Sequence, residues 1–473
     1  MKPVLGALQE AFPGRIRPLD GSAVGQVCAA LEAADVPAVI ASARAGFGAR
    51  LACVFAEDRR AADNAFHLYY VLERPADPLY LILRASLPPG SVSFPSLAAG
   101  LPAVNWQERE IRDWFGLEPA GHPNPRRVAL HDNWPNVHPL RKDFPLDQVL
   151  PPFEGEQHEY RPTLGEGVFQ IPVGPVHAGI IEPGHFNFAV AGEPILYLQL
   201  RMFYKHKGAE KLFEHLPVER AVFLAESISG DSSFSHGVAF CQAVERAAGL
   251  DVPPRAVFLR TILLELERVY NHVADIGAIA TDVGFVVANA HAGRLREIAV
   301  TLNEELTGNR LLRGMVSIGG VRRDWDPAQI SALTAAVAVI EREFHDLTAL
   351  IQSSDSTRDR LEHTGVLLPE KAKALGIVGV GGRASGVDLD VRRDHPYAAY
   401  GQVEFRVPVY QEGDVQRRMQ VRIDEVRESL GIVRSALRQL PGGPHAARFG
   451  RLPAGRCALS AVEGWRGEIL HWV

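Results

Sequence analysis

The chain has 473 residues, of which 47% are hydrophobic and 22% charged, with a formal net charge of −6. That length allows two or three domains with substantial cores, and the composition is ordinary for a globular protein. The acidic balance argues against a general nucleic-acid binder, and the four scattered cysteines exclude an iron–sulfur cluster or zinc ribbon held by this chain alone.

Cys28, Cys53, Cys241 and Cys457 form no Cys-x-x-Cys pair and read as reduced residues rather than a disulfide framework. The opening Met1-Lys-Pro-Val-Leu-Gly6 lacks the apolar core of a signal peptide. No run of roughly 18 uncharged apolar residues suggests a membrane span, so a membrane role is expected to go through partners.

Residues 1–150 read as a small α+β domain. Alternating apolar segments near 67–72 and 79–85 predict strands. A helix is predicted from Trp106 to Gly116, with Ile111, Trp114 and Phe115 on one side and a Glu108–Arg112 pair one turn apart. Residues 151–165 carry proline, glycine and charge without apolar periodicity, and read as a linker. Residues 166–473 form the second domain, where apolar spacings of three and four predict helices over 193–216, 234–249, 255–277, 284–307, 327–354 and 412–439. Arg260, Glu265, Glu267, Arg268, His272 and Asp275 lie within an apolar helix pattern, so they are expected to satisfy each other or a facing subunit.

Several polar groups invite a chemical reading. Ser229, Asp231, Ser232 and His236 could line a polar or weak metal-binding pocket, although Ser and Asp ahead of Phe234 also suit a helix N-cap. Gly230-Asp-Ser232 is superficially similar to a hydrolase nucleophile block, but no histidine has the Asp three residues before it that would activate Ser232. His177, Glu182 and His185 are spaced like metal ligands, with hydrogen-bonded packing as the competing role. Glu182 is the best carboxylate for proton handling, because burial can bring a Glu towards neutrality. Gly379-Val-Gly-Gly-Arg-Ala384 fits a dinucleotide pattern, yet Ser385-Gly-Val-Asp388 opens a helix poorly and no βαβ unit surrounds it.

Three blocks in order, Trp106-Gln-Glu-Arg-Glu-Ile-Arg-Asp-Trp-Phe-Gly116, His122-Pro-Asn-Pro-Arg-Arg127 and Pro139-Leu-Arg-Lys-Asp-Phe-Pro145, resemble the C-type subunit of respiratory complex I. Gly174-Pro-Val-His-Ala-Gly-Ile-Ile-Glu-Pro-Gly-His-Phe186, Arg260-Thr-Ile-Leu-Leu-Glu-Leu-Glu-Arg-Val-Tyr-Asn-His272, Gly319-Gly-Val-Arg322 and Arg383-Ala-Ser-Gly-Val-Asp388 resemble the D-type subunit and the [NiFe]-hydrogenase large subunit. One chain carrying both modules resembles the formate-hydrogenlyase-type large subunit. The resemblance implies an α+β fold, with a small N-terminal α+β domain followed by a mostly helical hydrogenase-large-subunit-like domain.

The resemblance also exposes departures. Glu226-Ser-Ile-Ser-Gly-Asp-Ser-Ser-Phe-Ser-His236 is similar to the proximal nickel motif with Ser229 and Ser232 at the two cysteine positions. A hydroxyl is a hard ligand that stays protonated near neutral pH and does not replace a bridging thiolate. The second Cys-x-x-Cys has no counterpart before Val473, so the C-terminal metal-binding segment is read as absent, whether naturally or by truncation. An ungapped match places Ile181 and Gly230 where the complex I protein uses His and Tyr on a quinone.

The resemblance therefore implies a non-hydrogenase coupling or scaffold subunit with no cofactor of its own. It would sit beside an Fe-S small subunit of complex I B-type, which carries the clusters, and antiporter-like membrane subunits, peripheral on the cytoplasmic side. The alternative is electron transfer to a quinone or other organic acceptor in the former Ni–Fe cavity, with Glu182, His185 and His236 as catalytic candidates. A true hydrogenase with ligands supplied elsewhere is the remote alternative. In the family the loop at Arg141 and Lys142 packs against neighbouring subunits, where arginine is favoured.

Overall fold

The computed structural model describes residues 1–473 except 20, 76, 89, 152–159, 178–182, 203 and 205. Most of the expected linker, together with Ile181 and Glu182, therefore lies outside the described residues.

The N-terminal sheet contains β1 (Arg17–Leu19), β2 (Gln26–Leu31), β3 (Arg50–Asp58), β4 (Phe66–Arg74) and β5 (Asp77–Leu87) in the order β1-β2-β5-β4-β3. Only the β2–β5 pairing within it is parallel. Successive side chains of a strand face opposite sides, and here both sides are covered. Leu68, Tyr70 and Leu72 pack with helices Lys2–Ala11, Val36–Phe47 and Asn105–Phe115, whereas Tyr69 and Val71 enter the core of the second module. The two modules thus share one sheet as a common wall.

Helix Asn105–Phe115 buries Ile111, Trp114 and Phe115 as expected and stops at Gly116, whose φ of 69° leaves a site that a Cβ would fill against His138. The expected Glu108–Arg112 pair does not form. Buried Glu108 accepts from Ser96 Oγ (2.5 Å) and Leu97 N (2.7 Å), while Arg112 turns to Glu118 (2.7 Å). A carboxylate facing the core takes the donors that the core offers.

The second module opens with a sheet rather than a helix. Val168–Val173, His185–Ala191 and Ile195–Arg201 form an antiparallel three-stranded sheet, followed by the short helix Ala209–Phe213. The helix expected over 193–216 is thereby corrected. Pro194 ends a turn, and Ile195-Leu-Tyr-Leu-Gln-Leu-Arg201 pairs along its length with His185–Val190. Beyond it the helices Ser233–Ala248, Pro254–Asp282, Val286–Thr307, Pro327–Gln352 and Val415–Gln439 follow the predicted spans closely. The 29-residue helix Pro254–Asp282 is central, packed between Val286–Thr307 and Val415–Gln439. The C-terminal hairpin, Leu459–Gly464 with Gly467–Trp472, has no counterpart among the elements expected from sequence. The whole is α+β, an N-terminal sheet module followed by a largely helical one.

Candidate functional site, a hydroxyl loop over a buried ionic layer

The Ser229–Ser232 loop joins helix Val218–Ala225 to helix Ser233–Ala248. Asp231 organises it. Its carboxylate accepts from Ser229 Oγ (2.6 Å) and pairs with Arg466, while its carbonyl accepts from Asn271 Nδ2 (2.7 Å) and Trp465 Nε1 (3.1 Å). The long central helix and the turn of the C-terminal hairpin therefore both hold the loop. Ser232 stands at the N-cap but makes no side-chain capping bond, correcting that expectation. The cap comes instead from Glu267, which accepts from Phe234 N (2.7 Å), Ser235 N (3.0 Å) and Ser235 Oγ. Burial raises Glu267 to about 7 against these three donors. Replacing Asp231 by Ala is expected to cost about 1 kcal/mol, because Arg466 is largely exposed, and to speed amide exchange across 229–232 in hydrogen-exchange mass spectrometry. Unchanged exchange would refute this anchoring role.

His236 projects towards the hairpin. Its Nδ1 lies 3.0 Å from Nε2 of His471, 235 residues away, so one ring donates and the other accepts. Burial lowers His236 to about 4, and burial together with His236 lowers His471 to about 3. This is a neutral imidazole pair at neutral pH. The structure does not bring it together with His185, whose Nδ1 meets Tyr160 Oη at 2.5 Å on the three-stranded sheet. His177 Nε2 likewise bonds Gly184 O at 2.8 Å, a packing contact. Nothing in the sequence flags His471 as a partner of His236, and sequence reasoning misses it.

Beneath the loop lies a layer of buried charge. Arg268 donates to Glu463 O (2.7 Å) and Gly464 O (3.0 Å) and pairs with Glu265 (3.3 Å). Arg383 spans Glu425 (2.7 Å) and Glu463 (2.8 Å), and Arg392 spans Asp390 (2.7 Å) and Glu265 (3.2 Å). His272 Nε2 meets Glu425 at 2.7 Å. Burial alone would raise Glu425, but Arg383, with His272, pulls it well below the carboxylate range. Each of these charged groups finds a partner within the chain, as does Arg260 with Glu245 (2.6 Å). Residues Gly379–Ala384, which fit the dinucleotide pattern, form a short buried helix that delivers Arg383, and a Cβ on Gly379 would collide with the Arg466 carbonyl.

Arg141 and Lys142 are used inside the chain. Arg141 Nε donates to Phe115 O (2.7 Å), Lys211 Nζ donates to Arg141 O (3.0 Å), and Lys142 Nζ reaches Glu214 at 2.5 Å. They tie the first module to the second. The cysteines are free thiols, and burial, with nearby carboxylates, raises Cys53 to about 12. Among the described residues no three His, Cys, Asp or Glu side chains are grouped to hold a metal ion.

The chain is a two-module subunit, a sheet module sharing one wall with a helical module, and its relatives say of what class. Residues 29–149 match the family described as "Respiratory-chain NADH dehydrogenase, 30 Kd subunit", and residues 282–458 match "Respiratory-chain NADH dehydrogenase, 49 Kd subunit". The chain is 35% identical to formate hydrogenlyase subunit 5 of Escherichia coli, over 99% of this chain and 83% of that protein. It is 34% identical to hydrogenase-4 component G of Escherichia coli, over 99% and 82%. It is 32% identical to the fused C/D protein of NADH-quinone oxidoreductase from Phocaeicola vulgatus, over 79% and 76%. Among solved structures, a chain of the membrane-bound sulfane sulfur reductase, an archaeal respiratory membrane complex, matches with a TM-score of 0.61 and 28% identity, covering 65% of this chain and 84% of that one. The chain belongs to the family of fused complex I 30-kDa/49-kDa-type subunits that includes these formate hydrogenlyase, hydrogenase-4 and NADH-quinone oxidoreductase proteins.

Proposed function

We propose that this chain is the large peripheral subunit of a complex-I-related, membrane-associated redox or ion-translocating assembly, and that it serves there as a coupling and scaffold subunit without hydrogenase activity. The observation that carries the second half is the donor set of the proximal loop. Ser229 and Ser232 supply hydroxyls where a nickel site needs thiolates, and the Ser229 hydroxyl is committed to Asp231. This donor set does not fit a Ni–Fe centre. The iron–sulfur clusters of such an assembly would reside in a small partner subunit.

Membership of an assembly is supported by the three-stranded sheet. Phe169, Ile171, Ile195, Leu196, Leu198 and Leu200 are all exposed on it, an apolar surface that soluble monomers rarely leave bare. No helix of the described residues is long and apolar enough to cross a membrane, so attachment would run through integral membrane partners on the cytoplasmic face. Lys142, 48% exposed, leaves the Arg141–Lys142 loop open to a neighbouring subunit as well as to Glu214. A second reading has the chain pass electrons to a quinone or other organic acceptor. The neutral His236–His471 pair supports it, because an imidazole with a free ring nitrogen can hydrogen-bond a carbonyl acceptor.

Mass spectrometry of what co-purifies with the chain from mildly solubilised membranes tests the proposal. An iron–sulfur small subunit with antiporter-like membrane proteins is the expected result. Recovery of the chain alone, free of membranes, would overturn the assembly reading. Hydrogen evolution by the purified assembly would overturn the non-hydrogenase role.

A further inference from the structure

The register of the C-terminal hairpin sets Glu463 directly opposite Glu468. Cross-strand partners share one face of a ribbon, and like charges placed so repel. Both side chains are buried, at 2% and 7% exposure. They nevertheless belong to different ion clusters. Glu463 completes the layer under the loop, where three guanidiniums meet four carboxylates among the described residues. Glu468 completes a second cluster at the wall between the modules, where Arg50 meets both Glu468 and Glu73, the latter at 2.5 Å. His395 lies 3.2 Å from Glu73 and stacks on Tyr80. Each cluster therefore holds one more carboxylate than it has guanidiniums.

Other titratable groups face the pair from the surrounding elements. His272, Tyr397 and Tyr400 stand on the Glu463 side. Cys53, Tyr80 and His395 stand on the Glu468 side. Between the clusters is a cavity of about 10 Å³, lined by both carboxyls, with room for one water molecule. Three buried atoms of its lining residues, Glu468 Oε1 and both ring nitrogens of His395, have no hydrogen-bond partner among the described residues, although His395 Nε2 lies 3.2 Å from the Glu73 carboxylate. A buried polar atom without a partner, on a residue that lines a cavity of this size, marks a place for water.

We propose that Glu463 and Glu468 form a proton-sharing carboxyl pair, bridged by a water molecule in this cavity, at the seam between the two modules. The acid form of one gives its proton to the water as the water hands a proton to the carboxylate of the other. The total charge is unchanged and no redox partner is involved. Burial raises both groups, with Asp390 adding to the rise at Glu463 and Arg50 opposing it at Glu468, which is brought to about 7. The pair gives up its shared proton as pH rises through neutrality.

Infrared difference spectra of the full-length chain, stepped from about pH 5 to about pH 9 in H₂O and D₂O, report the carbonyl stretch of buried carboxylic acids directly. The expected result is a step near neutrality, with a deuterium shift. Glu226 and Glu267 contribute to the same step, so the pair is read in the wild-type-minus-variant difference: Glu468→Gln should remove the pair's share of the step and lower the midpoint of Glu463 by about one pH unit or more, and Glu463→Gln should do the same to Glu468. Both substitutions are isosteric and remove surplus negative charge, so the fold is expected to persist, as a thermal unfolding curve checks. Variants that each lose only their own band, with the other midpoint unmoved, would overturn the pairing. If a Gln variant does not fold, Glu468→Asp and Glu463→Asp, which keep the charge on a shorter arm, take its place: a neutral-pH carboxyl step unchanged in size and midpoint in both would overturn the proposal, and a shift of the partner's midpoint in either supports it.

Discussion

Replacing Arg268 by Met is expected to destabilise the chain by about 3–5 kcal/mol, because it leaves buried carboxylates without their counter-charge. The guanidinium is 1% exposed and donates to two carbonyls of the hairpin turn, at Glu463 and Gly464, while facing Glu265 and Glu425. Met matches its length and removes all of these. Four carboxylates would then face two guanidiniums, and the hairpin that holds Asp231 would lose its main anchor from the central helix. Urea unfolding followed by far-ultraviolet circular dichroism measures the loss. Arg268→Lys keeps the charge but not the forked donation, and should fall between the two. A loss below about 1 kcal/mol for Arg268→Met would mean that the layer is held by packing rather than by charge.

Acidification gives the second large effect. His236 and His471 have folded values near 4 and 3, both depressed below the ordinary 6.5 by burial. A depressed value means that the stabilisation is present above pH 6.5 and is lost as pH falls towards the folded values. Each imidazole is expected to cost about 2 kcal/mol between pH 8 and pH 5. Glu226, Glu267 and Glu468, raised to about 7 chiefly by burial, act in the opposite sense, since protonation relieves them as pH falls. The measurement is therefore a difference. The double variant His236→Gln, His471→Gln should lose about 4 kcal/mol less than wild type over that interval. Parallel stability curves for the two proteins would show that the pair is protonated without penalty, and hence not buried as described.

Much of this arrangement is legible from local pattern. Helix spans such as Pro254–Asp282 and Val415–Gln439 carry apolar residues at helical spacing over many turns, and Gly116 stands where a left-handed stop is needed. The strand Ile195–Arg201 misleads because its leucines satisfy a spacing of three or four as readily as alternation, although Glu193-Pro194 ahead of it is a turn signal. The site itself is only half legible. Ser229, Ser232 and His236 are close in sequence and stand out together. Their partners do not: Asn271, Trp465, Arg466 and His471 reach the loop from 40 or more residues away. The ionic layer is opaque for the same reason. Glu265 and Arg268 invite pairing along one helix turn, but nothing local announces that Arg392 comes in from 127 residues downstream or that Arg383 needs Glu463. Long-range charge balance is a property of the fold and not of any window of sequence.

The three-stranded sheet sets an order of events. Among the described residues, both of its outer strands, Val168–Val173 and Ile195–Arg201, leave a backbone edge without a partner strand, next to side chains such as Phe169 and Leu198 that water does not favour. Two newly made copies can add strand to strand through such edges unless a partner of the assembly covers them first. Biogenesis is then a race between self-association and capture. A cell would win it by making the covering protein first, or by holding the chain on a chaperone until that protein arrives.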